Sequence, residues 1–170
     1  MKTKNIIVLT GIILFFTGSG FVLHEVSSTL QKKAELYAGI PIFRLPDLNE
    51  ETVSETTIDW NKAILFYFFD PECNLCRPTF DGFKTKSKEF SNHQILLITL
   101  LSKERVKAFL DEIDFNPPEN MKILLDEKAE LFSLMDIKSP PTSLIYKETI
   151  LIKRFDGPVK VETLIKYLSE

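Results

Sequence analysis

Hydrophobic positions along the chain fall into one long uncharged block and a series of short runs. The block comes first: after Met1-Lys2-Thr3-Lys4-Asn5, residues Ile6 to Leu23 are apolar except for Thr10, Gly11, Thr17, Gly18, Ser19 and Gly20. At about 18 residues it lies at the short end of what a membrane-crossing helix needs, and its inner part, Ile6 to Phe16, also suits the core of a signal peptide. Either way the rest of the chain is exported. Lys2 and Lys4 on the leading side keep the N-terminus in the cytoplasm and place the remainder on the outer face. Gly18 and Gly20 offer small residues for cleavage before Phe21, without an Ala-x-Ala pattern, so residues 1–23 are read as an anchor with a cleaved signal as the alternative. A buried soluble helix is the third reading.

Beyond the block the pattern changes. Val26, Leu30, Ala34 and Tyr37 recur near helical spacing among Lys32, Lys33 and Glu35, which predicts a helical stalk over 24–39 ending at Gly39. Ile40 to Leu48, marked by Pro41 and Pro46, reads as an extended edge segment leading into a polar hairpin at Asn49 to Glu51. Lys62 to Phe69 is continuously apolar after its lysine, as expected of a central strand covered on both faces. Pro78 to Phe90 carries Phe80, Phe83 and Phe90 among charged residues and predicts a helix with one face on the sheet. A second buried strand follows at Gln94 to Leu101, then a helix capped by Ser102 and running to Ile113. After the break at Asn116 to Asn120 come a short strand, Met121 to Leu125, and a helix, Glu127 to Met135. Thr142 to Tyr146 and Ile150 to Phe155, joined by Lys147-Glu148-Thr149, form a hairpin, and Val161, Leu164, Ile165 and Leu168 mark a terminal helix. Residues 40–170 therefore form one α/β domain, a central β-sheet flanked by helices, without internal repeats.

Composition narrows the functions. The 170 residues are 44% hydrophobic, enough for one core plus an appendage. A net charge of −3 with no basic stripe gives no electrostatic reason to bind nucleic acid. Only two cysteines occur, in Pro71-Glu72-Cys73-Asn74-Leu75-Cys76-Arg77, so there is no multi-disulfide scaffold and no N-terminal thiol for lipid attachment. A bridge over so short a loop removes little unfolded-state entropy, which makes chemistry the better reason for the pair.

Cys73 lies just past a buried strand and just before a predicted helix. Backbone N–H groups at a helix start favour a thiolate, so Cys73 is the candidate nucleophile. A second thiol one turn later, Cys76, can attack the mixed disulfide that the first forms and leave a Cys73–Cys76 bond. A zinc site would need two further ligands. The only histidines are His24, beside the apolar block, and His93, read as a solvated loop residue, so no metal site is assigned. Two thiolates alone could hold Cu(I), and a redox-inactive interaction domain is the other alternative.

With the motif in place, residues 40–170 resemble the thioredoxin superfamily, closest to its exported TlpA/ResA-like branch. The resemblance rests on Pro41 to Asp47, Leu65-Phe66-Tyr67-Phe68-Phe69, the motif itself, Leu124-Leu125-Asp126-Glu127, Pro140-Pro141-Thr142-Ser143-Leu144-Ile145 and Arg154-Phe155-Asp156-Gly157. It implies a thioredoxin-like fold with a mixed sheet. It also implies a cis proline at Pro141 facing the cysteines, with Pro140 and Thr142 beside it in the substrate-binding loop. The chain departs from the family in three places. Glu72 replaces an aromatic residue and sets a negative charge next to Cys73. Tyr67 and Thr79 occupy the two positions where a buried acid usually sits; Asp70, Glu72 and Asp81 read as solvated charges instead. Pro140 has no N–H to offer a bound client. Asp70 also stands where peroxide-reducing relatives have Thr or Ser, which argues against a peroxidase.

The expected activity is thiol-disulfide exchange on the outer, periplasmic or extracytoplasmic, side of a membrane, in the reducing direction by resemblance. Expected partners are disulfide-containing or dithiol proteins such as apocytochrome c, and a membrane thiol electron donor. The protein is expected to act as a monomer without cofactor.

Overall fold

A computed structural model describes residues 39–170. The anchor or signal predicted for 1–23 and the stalk up to residue 38 lie outside the described residues. Seven strands are named β1 (Arg44–Pro46), β2 (Thr52–Ser54), β3 (Ile64–Phe68), β4 (Gln94–Thr99), β5 (Met121–Leu125), β6 (Thr142–Lys147) and β7 (Ile150–Asp156). Five helices are α1 (Arg77–Thr85), α2 (Ser87–Phe90), α3 (Lys103–Glu112), α4 (Glu130–Leu134) and α5 (Val161–Ser169).

β1 and β2 make a small antiparallel pair, and the other five strands form one sheet in the order β5-β4-β3-β6-β7. β3, β4 and β5 run parallel, while β6 is antiparallel to both β3 and β7. The sheet is mixed, as the resemblance implied, and β3 is its centre. Period-two alternation divides the side chains of β3 between two cores. Leu65 and Tyr67, with the following Phe69, meet Phe80 and Phe83 of α1, Val106 and Phe109 of α3, and Leu164 and Leu168 of α5. Ile64, Phe66 and Phe68 pack with Phe43, with Leu45 and Val53 of the small pair and with Leu131 and Phe132 of α4. Burial on both faces explains why β3 carries no polar alternation.

Two helices differ from their predicted spans. The helix read through to Phe90 breaks at Lys86 into α1 and α2. Thr85 Oγ1 donates back to the Asp81 carbonyl at 2.8 Å, a side-chain bond that competes with the helical ladder and bends it. The helix read from Glu127 begins only at Glu130, because residues 126–129 form a turn with Ala129 at φ 57°. The buried Asp126 carboxylate accepts the Glu130 and Phe132 N–H groups, both at 2.8 Å, and so caps the late start. The β6–β7 hairpin turns on Glu148 and Thr149, both at positive φ, the backbone of a tight two-residue turn. Gly82 is needed for close approach: a Cβ there would lie 2.2 Å from Val161 Cγ2 at the start of α5.

Candidate redox site at Cys73 and Cys76

β3 delivers the chain to the site. The Phe69 N–H still bonds the Ile98 carbonyl of β4 at 2.9 Å, so the backbone leaves the sheet only at Asp70. Successive turns follow. The Asp70 carbonyl accepts the Cys73 N–H at 2.9 Å, the Cys73 carbonyl accepts that of Cys76 at 3.0 Å, and the Cys76 carbonyl accepts that of Thr79 at 3.1 Å. The Asp70 carboxylate tightens the first turn by accepting the Glu72 N–H at 2.8 Å. α1 then starts at Arg77, with Cys76 at the N-cap and Pro78 in the first turn, where a missing N–H is tolerated. The predicted order of strand, motif and helix is present, but Cys73 stands one turn ahead of the helix and Cys76 is nearest its first N–H groups.

Both thiols are free, Cys73 half-buried and Cys76 fully buried. Burial pushes the Cys76 thiol up, and the Cys73 sulfur beside it adds to the rise. The Asp70 backbone and the Tyr67 hydroxyl pull the other way. Tyr67 is itself buried; its phenol donates to the Cys76 carbonyl at 3.4 Å and is hydrogen-bonded to Thr79. Desolvation holds that phenol protonated far above its ordinary range. An aromatic wall closes around the pair, with Phe69 and Phe80 rings 4.9 Å apart and Phe80 and Phe109 5.0 Å apart.

The outer side of the turn is charged. Glu72 is ion-paired with Arg105 of α3, and Arg77 meets Glu112 of the same helix at 2.9 Å with its guanidinium over the Phe109 ring. Glu72, which by sequence opposes a Cys73 thiolate, thus has a cation of its own. Arg77 holds the Glu112 carboxyl below the usual carboxylate range. Sequence reasoning missed Arg105 and Glu112; the only signal was that they lie seven positions apart, on one exposed face of α3.

The proline loop comes to the same end of the sheet. Thr142 opens β6 opposite Phe68 of β3, its hydroxyl donates to the Ser139 carbonyl at 2.8 Å, and the Pro140–Pro141 peptide is cis. The Pro141 carbonyl accepts the Gly157 N–H at 2.9 Å. Leu75 within the motif and Leu100 after β4 are exposed apolar side chains at this end. His93 lies just before β4, hence at the opposite end. It is half-buried rather than solvated, with Nδ1 buried and unpartnered, and burial pushes its pKa down. His24 is outside the described residues. Among the described residues no three His, Cys, Asp or Glu side chains gather as a metal site, and no helix is long and apolar enough to cross a membrane.

Comparison with known proteins bears on the family and the fold. The AhpC/TSA family model matches residues 38–160. No curated protein matches the chain. Among solved structures, StoA from Bacillus subtilis is 20% identical with a TM-score of 0.62, over 76% of this chain and 97% of that one. The exposed lipoprotein thioredoxin Etrx1 from Streptococcus pneumoniae is 18% identical with a TM-score of 0.62, over 76% and 98%. A secreted Mycobacterium tuberculosis disulfide oxidoreductase homologous to E. coli DsbE is 11% identical with a TM-score of 0.64, over 75% and 94%. At such identities the structural likeness speaks for the fold, and the family match carries membership. The chain belongs to the AhpC/TSA family and has a thioredoxin-like fold.

Proposed function

We propose that Cys73 and Cys76 are the exchanging dithiol of this thioredoxin-like thiol-disulfide oxidoreductase. The observation that carries the reading is a half-exposed thiol one turn ahead of a buried one, with the proline loop at the same end of the sheet. In the reducing direction the Cys73 thiolate attacks a client disulfide and expels one client sulfur as thiolate. The Cys76 sulfur then attacks the Cys73 sulfur and releases the second, leaving a Cys73–Cys76 disulfide and two electrons on the client. Pro140, half-buried, lines the approach of the client chain with the exposed Leu75 and Leu100, and the buried Pro141 and Thr142 hold that loop from beneath. Pro140 offers no N–H, so a client strand must find its backbone donor elsewhere.

Clients are dithiol or disulfide proteins met outside the cytoplasm, and a membrane thiol donor returns the protein to its reduced form. The charge pattern ahead of Leu23 supports this location, as do solved neighbours described as secreted or exposed. The domain is held by an uncleaved anchor over 1–23 and a stalk over 24–39, and works as a monomer. Insulin reduction by dithiothreitol tests the activity: the native protein should accelerate it and Cys73→Ser should not. Equal rates for the two would refute the assignment. Cys76→Ser should retain clients as mixed disulfides on Cys73, visible on non-reducing gels.

A further inference from the structure

Among the described residues, the side of the cysteine turn that faces the core holds hydroxyl groups and no carboxylate. Tyr67, Thr79 and Ser143 are 1%, 3% and 0% exposed. Ser143 is the cross-strand partner of Tyr67, so both side chains leave the sheet on one face, and its Oγ is buried without a hydrogen-bond partner. The phenol of Tyr67 is hydrogen-bonded both to the Cys76 carbonyl and to Thr79. Its ring is fixed by edge contacts with Phe80 and Phe83, at 6.2 and 5.6 Å between centroids.

Charged groups on the surrounding elements are paired with other groups or exposed. The Asp70 carboxylate accepts the Glu72 N–H, Glu72 pairs with Arg105, and Arg77 pairs with Glu112 on α3. Asp81 on α1 is exposed, and Glu162 on α5 pairs with Lys86. β6 contributes no charge before Lys147. The titratable groups that face the Cys76 sulfur are Cys73 and Tyr67.

We propose that Tyr67 is the positioning residue of the resolving cysteine: its phenol hydrogen, given to the Cys76 carbonyl in the reduced protein, turns to the Cys76 sulfur as the thiolate forms, and the phenol accepts no proton, so the proton of Cys76 passes to solvent hydroxide. The inference rests on Cys73 and Cys76 being the exchanging pair. In the resolving step the Cys76 sulfur bonds to the Cys73 sulfur and the bond from Cys73 to the client sulfur breaks. The electron pair departs on the client sulfur, and hydroxide becomes water. With no buried base, the reactive fraction of Cys76 grows about tenfold per pH unit below its ionisation. The mixed disulfide is therefore long-lived at neutral pH and short-lived in alkali.

Single-turnover reaction of the reduced protein with 5,5′-dithiobis(2-nitrobenzoate) separates the two sulfurs. The first nitrothiobenzoate released reports attack by Cys73, and the second reports attack by Cys76 on the adduct. The second phase should accelerate about tenfold per unit between about pH 7 and 9. Tyr67→Phe, which keeps the ring and its packing, should slow that phase about three- to tenfold with the same slope, the range of one lost hydrogen bond to a charged group. Thr79→Val, which removes only the supporting hydroxyl, should slow it by less, about two- to threefold. A second phase in the native protein that is level over this pH range, or a Tyr67→Phe rate within twofold of native, overturns the proposal. Absence of a second release at every pH would instead refute the exchanging pair itself.

Discussion

The two sides of the cysteine turn are built from opposite materials. Toward solvent, Glu72 and Arg77 flank the motif and each finds an opposite charge on α3, in Arg105 and Glu112. Toward the core, Cys76 sits among Tyr67, Thr79 and a wall of phenylalanines. Exposed pairs screened by water hold little energy, whereas a buried thiol and its neighbours are held by packing and desolvation. The outer side can tune how fast Cys73 reacts, while the inner side governs whether Cys76 ionises at all.

The largest effect expected from testing this contrast comes from opening the wall. Phe80→Ala removes a ring within 5.0 Å of those of Phe69 and Phe109. It should cost about 3–5 kcal/mol of stability, read from urea unfolding of the reduced protein. A loss of under about 1 kcal/mol would mean that the wall is not close-packed.

Next in size is the dependence on pH. The folded-state pKa of the Cys76 thiol is raised, so its neutral form is the one that folding favours. Its contribution is complete below the ordinary thiol range and is lost as pH rises toward the folded value. The slope is at most about 1.4 kcal/mol per pH unit. The buried Tyr67 phenol adds loss at still higher pH. Reduced native protein should therefore weaken more steeply than reduced Cys76→Ser between about pH 9 and 10.5 in urea titrations. Parallel curves would place Cys76 in contact with water.

The smallest effect belongs to the outer side. Arg105→Ala should change stability by less than about 1 kcal/mol, since both partners of its ion pair are more than half exposed. It should nevertheless slow alkylation of Cys73 by iodoacetamide about two- to threefold at low salt, because Glu72 is left uncompensated. Glu72→Gln in the same background should restore the rate. An unchanged rate in Arg105→Ala would detach α3 from the chemistry.

Much of the fold was legible because its signals are local. The run Lys62 to Phe69, apolar after its lysine, read as a strand covered on both faces, and the cysteine spacing with a proline two residues after Cys76 marked the turn into α1. The breaks were not legible. The bend after Thr85 depends on which way one hydroxyl turns, and the late start of α4 depends on a carboxylate that prefers two backbone N–H groups to water. The match between Glu72 and Arg105 was hidden for another reason. It joins a loop to a helix on the far side of β4 in the chain, and charge partners of that kind emerge only when the elements pack. Ser143 looked like an ordinary strand residue until its register with Tyr67 set its hydroxyl in the core.

The bare backbone at Gly82 has a bearing on where the working unit ends. The family match stops at residue 160, one position before the helix whose first side chain, Val161, fills the notch that Gly82 leaves open. A fragment trimmed to the matched span would uncover the midpoint of the helix that begins beside Cys76. The closing nine residues of secondary structure act as a keystone for the helix that follows the cysteine turn, although they contain neither cysteine.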